Sequence, residues 1–299
     1  MKAAESGAAT GTAFGVRSSV APLRRVGMRR PGVILSADPE RWHYAGPLDA
    51  ERLMAEYDEF AAAVGASGAE IAWLDDEPDD LADSVFTYDP SFVIGSGAIL
   101  LRAGKPLRLG ETELHRRFYD STGIPVIGQI DAPGRFEGGD CFWLDEHTLA
   151  VGRGFRTDQA GIDQFGAIVA ADGISIEVFD LPFHLGEGAC LHLMSLVSVL
   201  ADDLALVHEP LLPTALWQRM RDLGYELLVA PPDEFESSLG LNLNVLATAP
   251  REVIAVDGFP RTVERMRAAG CEVTVVPGDA LCIPCEGGPT CLTRPLLRG

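Results

Sequence analysis

The chain has 299 residues, 47% of them hydrophobic, which is enough for a large core and too many for wholesale disorder. Its formal net charge of −20 argues against nucleic acid as a partner, because phosphate binding needs a basic face. The same charge fits a cationic ligand drawn into an acidic cleft, and it fits solubility alone equally well. Six cysteines, at 141, 190, 271, 282, 285 and 291, do not make a disulfide framework in a chain of this length. Cys282 and Cys285 have the spacing of a redox or zinc pair, but no second CxxC or histidine pair accompanies them, and Pro284 sits between. No apolar run reaches the roughly 18 residues of a membrane helix. The expectation is a soluble cytoplasmic protein that uses neither membrane nor nucleic acid.

Residues 1–14, rich in Ala, Gly, Ser and Thr, lack the apolar centre of a signal peptide and read as a disordered tail. Residues 15–299 read as one domain. Strand-like sequence over 16–28 leads through a loop at 38–47 to a helix over 48–64. That helix carries apolar residues at Leu53, Met54, Tyr57, Phe60, Ala61 and Val64, and a short strand over 69–74 follows. The same order then recurs. A second unit has strands at 84–88 (extended by 92–94) and 98–102, a helix at 111–119 and a strand at 125–130. A third has strands at 136–144 and 148–152, a helix from 158 and a strand at 174–179. A fourth has strands at 190–200 and 204–208, a helix at 213–223 and a strand at 226–229. A fifth has strands at 241–248 and 253–256, a helix at 261–269 and a strand at 272–276. A strand–turn–strand–helix–strand unit recurring about every 50 residues implies copies arranged around shared contacts. Hairpins alternate with helices, so the expected fold is a five-fold pseudosymmetric α/β propeller of ββαβ units, not a doubly wound sheet.

In such a ring the first strand of each unit points towards the axis, and polar residues there need a reason. Asp83 and Asp89 flank the first strand of unit two, Glu137 lies in unit three, His192 in unit four and Asn244 in unit five. Cys291 follows Gly287 and Gly288 near the chain end. Each has a plain reading. Cys291 fits a small buried thiol, His192 a hydrogen-bonded core histidine, and the two aspartates a cap and a turn. Glu137, bracketed by Phe136 and Cys141-Phe142-Trp143, needs a partner if buried. Together they make a nucleophile, an imidazole that returns a proton, and a carboxylate that orients it. The remaining acids suit a planar cation, and guanidinium pairs bidentately with carboxylates. Arg108 and Arg156 read either as solvated surface residues or as a clamp on a substrate carboxylate.

At these residues the sequence resembles the dimethylarginine dimethylaminohydrolase family, within the guanidine-modifying pentein superfamily. The resemblance rests on Asp83-Ser-Val-Phe-Thr-Tyr-Asp89, Arg108-Leu-Gly-Glu111, Phe136-Glu-Gly-Gly-Asp140, Arg156-Thr-Asp158, Leu191-His-Leu-Met-Ser195 and Gly287-Gly-Pro-Thr-Cys-Leu-Thr293. It implies Cys291 as nucleophile, His192 as general acid and base, and Glu137 as its partner. It further implies Asp83 and Asp89 on the guanidinium, Arg108 and Arg156 on the carboxylate, and a mobile lid at 38–47. The substrate is then a small guanidino compound, with no metal and no other cofactor, and a homodimer is left open. Tyr88 stands where bacterial members often carry an acid, so arginine deiminase, arginine dihydrolase and amidinotransferase activities remain alternatives. A non-catalytic ring that binds a small ligand in the same cleft is the alternative of a different class.

Overall fold

The structure, a computed structural model, describes residues 13–74 and 80–299; the expected tail lies outside these residues as far as residue 12. Five separate three-stranded sheets make up the fold, each mixed in the same way. In unit two, β3 (Ser91–Ile94) runs antiparallel to β4 (Gly97–Leu100), and β4 runs parallel to β5 (Val126–Gln129). Helix Glu111–Thr122 makes the crossover between β4 and β5. Unit three repeats this with β6 (Cys141–Asp145), β7 (Thr148–Arg153), helix Gln159–Val169 and β8 (Ser175–Asp180). Unit four has β9 (Val197–Ala201), β10 (Leu204–Val207), helix Thr214–Asp222 and β11 (Glu226–Val229). Unit five has β12 (Leu246–Ala249), β13 (Glu252–Val256), helix Pro260–Ala268 and β14 (Glu272–Val276).

Unit one is assembled from both ends of the chain. Its centre is β1 (Leu23–Met28), which pairs in parallel with β2 (Glu70–Trp73) after helix Ala50–Ala66. Its antiparallel strand is β15 (Arg294–Arg298), the last of the chain, which closes the ring. That split explains why unit one is the least legible of the five in sequence.

The helices are held by capping and by one buried stripe. Asp49 accepts the Arg52 N–H and Asp158 the Gly161 N–H at their N-termini, and each such cap stabilises by about 1 kcal/mol. Leu53, Tyr57, Phe60, Ala61 and Val64 are the buried side of the first helix, at the helical spacing the sequence shows.

The first strands of units two to five begin later than the sequence suggests. A 3-10 turn precedes each: Ala82–Val85, Gly138–Asp140, Leu193–Ser195 and Leu241–Leu243. In unit one a comparable turn at Thr290–Thr293 precedes β15, closed by Leu292 N–H on Gly288 O and Thr293 N–H on Thr290 O. The expected strand at 84–88 is therefore no strand, β3 starting only at Ser91, while those at 136–144, 190–200 and 241–248 are part turn, part strand. The physical reason is not local: Asp89 accepts the Gly139 N–H and Asp140 the Leu193 N–H, so a carboxylate of one unit engages the turn backbone of the next. Asp83 and Cys291 sit on these turns, Glu137 and His192 directly before theirs and Asn244 directly after its own, rather than on the strands, and all but Glu137 line one cavity. A short helix at Pro232–Ser238 is an addition the periodicity does not announce.

Candidate active site

Glu137 is fully buried, directly before its 3-10 turn. Its Oε2 lies 2.6 Å from His192 Nε2, and Oε1 accepts the Gly104 N–H at 2.7 Å. Arg156 Nη1 is 3.2 Å from both carboxylate oxygens. Burial alone would raise the pKa of Glu137. The Arg156 charge and the His192 contact outweigh it and hold the carboxyl well below its ordinary range. With Nε2 on Glu137, His192 turns Nδ1 towards the cavity, where a Cβ on Gly139 would come within 2.5 Å of it. Gly139 is thus required by close approach and not by a turn. Burial opposes the charged imidazolium, but the Cys190 sulfur, Asp89 and Asp140 raise its pKa well above the usual histidine value.

Asp89 is buried ahead of β3 and accepts the Gly139 N–H at 2.9 Å through Oδ1. Its Oδ2 is 2.6 Å from Arg108 Nη1. Arg108 also donates Nε to Glu111 at 3.0 Å and Nη2 to the Phe86 carbonyl at 3.0 Å. Asp83 accepts the Tyr44 hydroxyl and the Lys105 ammonium, both at 2.7 Å. Tyr44 belongs to the loop expected as a lid, and Trp42, His43 and Tyr44 all face the cavity.

Cys291 lies on the last turn before β15. Asn244 clamps that turn: its Oδ1 accepts the Thr290 N–H at 3.0 Å, and its Nδ2 donates to Cys291 Sγ at 2.8 Å. Gly288 allows this, because a Cβ there would meet the Asn244 side chain at 2.9 Å. Desolvation of the sulfur and the charge of Asp89 push the Cys291 thiol up to about 11. Donation from Asn244 and Gly288 and the His192 charge oppose them. At neutral pH the resting group is therefore a thiol, and a cation placed beside Asp89 would favour the thiolate.

A cavity of about 320 Å³ joins these groups. Cys291, His192, Asp83, Asp89, Arg108 and Arg156 all line it, and Glu137 stands behind His192. The arginines differ from the expected clamp. Arg108 is 6% exposed and spends donors from all three nitrogens inside the protein, so it orders Asp89. Among the described residues Arg156 is hydrogen-bonded through Nη1. Three side chains that sequence reasoning did not single out also line the cavity: Lys105, Tyr44 and Cys190, whose sulfur is 3.7 Å from His192 Nδ1. Cys190 has a visible signal, two residues before His192; Lys105 and Tyr44 have none. Asp89, Glu137 and His192 bring donor atoms within 4.8 Å of one another, and Arg108 and Arg156 form ion pairs with the two carboxylates. Cys282 is buried in the short helix Cys282–Cys285, and both cysteines are free thiols.

A five-unit propeller with a thiol, a histidine–glutamate pair and buried aspartates around one cavity defines a guanidino-group-modifying enzyme of the pentein class. The comparisons agree. Residues 51–226 match the family described as Arginine deiminase. An N(G),N(G)-dimethylarginine dimethylaminohydrolase of Streptomyces coelicolor is 30% identical over 196 residues, 64% of this chain and 70% of that one. An uncharacterized protein of Bacillus subtilis, YkgA, is 29% identical over 225 residues, 74% of this chain and 72% of its own. Among solved structures, the Pseudomonas aeruginosa dimethylarginine dimethylaminohydrolase complexed with citrulline superposes with a TM-score of 0.73 at 23% identity, covering 91% of this chain and 99% of that one. The chain belongs to the arginine deiminase family. Among the described residues, no helix is long and apolar enough to cross a membrane.

Proposed function

We propose that the chain hydrolyses the guanidinium group of arginine or of an N-methylated arginine through a covalent intermediate on Cys291, giving citrulline and an amine. The observation that carries this reading is the convergence of Cys291, the His192–Glu137 pair and Asp89 on one cavity. The guanidinium docks against Asp89, with Asp83 near its outer nitrogens, and its charge offsets the acid that keeps Cys291 protonated. The thiolate attacks the central carbon. His192, charged and held by Glu137, gives its Nδ1 proton to the departing amine as the C–N bond breaks. A thiouronium remains on the sulfur. Neutral His192 then takes a proton from water, the hydroxide adds to the same carbon, and the C–S bond breaks to release the ureido product and the thiolate. Arg156 offers its remaining donors to a substrate carboxylate, while Arg108 acts through Asp89.

The substrate is tested with a panel of arginine, monomethylarginine and dimethylarginine, scored for citrulline, ornithine and the amine released. Ammonia as the amine assigns a deiminase, a methylamine assigns a dimethylargininase, and ornithine assigns a dihydrolase. Absence of any ureido or ornithine product from every guanidine would refute hydrolysis. Cys291→Ser is expected to abolish turnover, and retained activity would reassign the nucleophile.

A further inference from the structure

Beneath the active-site floor lies a second, small chamber of about 40 Å³. It takes lining residues from the first strand of every unit: Phe92, Trp143, Ser198, Ala247 and Arg294, which places it on the pseudo-five-fold axis. Tyr88, Met194, Ser198 and Thr290 line both this chamber and the upper cavity, so a single layer of side chains separates the two.

The charge balance inside is one-sided. Arg294 is 3% exposed, and among the described residues neither its Nε nor its Nη2 has a hydrogen-bond partner. Its guanidinium lies 3.8 Å over the Tyr88 ring and 5.5 Å from that of Phe92. Ring faces attract a cation but do not accept its in-plane N–H groups. Trp143 Nε1 is buried and likewise has no partner among the described residues. Arg298, a second cation on the wall, donates to the carbonyls of Ala21 and Ala247. Among the described residues no carboxylate lines the chamber. Neither Cys141 nor Tyr88 is the counter-charge, since burial pushes the thiol and the phenol up. Buried charge of one sign needs an opposite charge, and water alone would satisfy the donors while leaving the charge uncompensated.

We propose that this axial chamber binds a small monovalent anion, a halide, held by Arg294 and the Trp143 N–H beneath the active site. The space exceeds the roughly 10–15 Å³ that one water needs, and a halide is only slightly larger than water. The site is separate from the guanidine cavity and does not rest on the proposed reaction.

The test uses the full chain. Thermal melting is compared in sodium chloride and sodium gluconate at matched ionic strength, and crystals grown in sodium bromide are measured at the bromine absorption edge. The expected results are a melting temperature that rises with chloride and saturates, and an anomalous bromide peak in the chamber. Trp143→Phe keeps the cation and an aromatic ring but removes the indole N–H, and is expected to weaken the chloride dependence about tenfold. Equal melting in both salts, bromide at the surface only, or an unchanged chloride dependence in Trp143→Phe would each overturn the proposal.

Discussion

Glu137→Gln removes one charge from a group that is 0% exposed and bonded on every side. In the native protein its carboxylate holds His192 Nε2 at 2.6 Å and Arg156 Nη1 at 3.2 Å, and it accepts the Gly104 N–H. The amide keeps the volume but leaves Arg156, whose side chain is 15% exposed, without a counter-charge. Breaking one side of a buried pair costs roughly 3–5 kcal/mol, or a fall in melting temperature of about 10 °C for a domain of this size. The effect on chemistry is larger. The substituted amide would present an N–H or a neutral carbonyl to Nε2, and in either case the imidazolium loses its stabilising charge. Loss of the orienting acid in comparable constellations costs about 10⁴ in kcat. The assay pairs turnover of the best guanidine with ¹⁵N NMR titration of His192. The His192 pKa is expected to fall together with kcat. A Glu137→Gln protein with native turnover and an unchanged His192 titration would refute the reasoning.

Asp89→Asn is expected to act in opposite directions on two readouts. Removing the charge that raises the thiol pKa should speed iodoacetamide labelling of Cys291 at about pH 8 several-fold, while kcat/KM for a guanidine falls about 100-fold or more; slower labelling contradicts the electrostatic account. Asn244→Ala removes the N–H on Cys291 and the acceptor for Thr290, so the thiol pKa should rise above the native value and kcat should fall about tenfold, read from turnover and the pH dependence of alkylation. The folded-state pKa of Glu137 lies below its ordinary value of 4.5, so its ionisation stabilises the fold fully above that pH. The contribution is lost as pH falls further, and Glu137→Gln should flatten the acid limb of the stability curve below about pH 4.5. An identical acid limb in both proteins would contradict that assignment.

The ring was legible because each unit buries its hairpin and one helix face, and both periods survive in the sequence. The strand Thr148–Arg153 and the helix Gln159–Val169 fall close to where apolar spacing puts them. The turns before the first strands were not legible, since residues such as Leu193 and Leu241 look the same in a 3-10 turn as in a strand. Unit one stayed obscure because its antiparallel partner, β15, comes from the opposite end of the chain. The pairing of Val26 with Pro295 is one that no local pattern announces. At the site, residue types that attract attention alone, such as Cys291, His192 and Glu137, could be chosen in advance. Their supports could not: that Arg108 is consumed by Asp89, Glu111 and a carbonyl, and that Lys105 and Tyr44 converge on Asp83, depends on contacts between distant segments.

The most direct test of the proposed chemistry is to look for the intermediate. Protein mixed with a turning-over guanidine is quenched in acid within milliseconds to seconds, digested and weighed by mass spectrometry. The account expects the peptide holding Cys291 to gain the mass of the guanidine less the departing amine, and Cys291→Ser to show none. An adduct on Cys190 or Cys285 instead, or turnover with no covalent species on any cysteine, would contradict it.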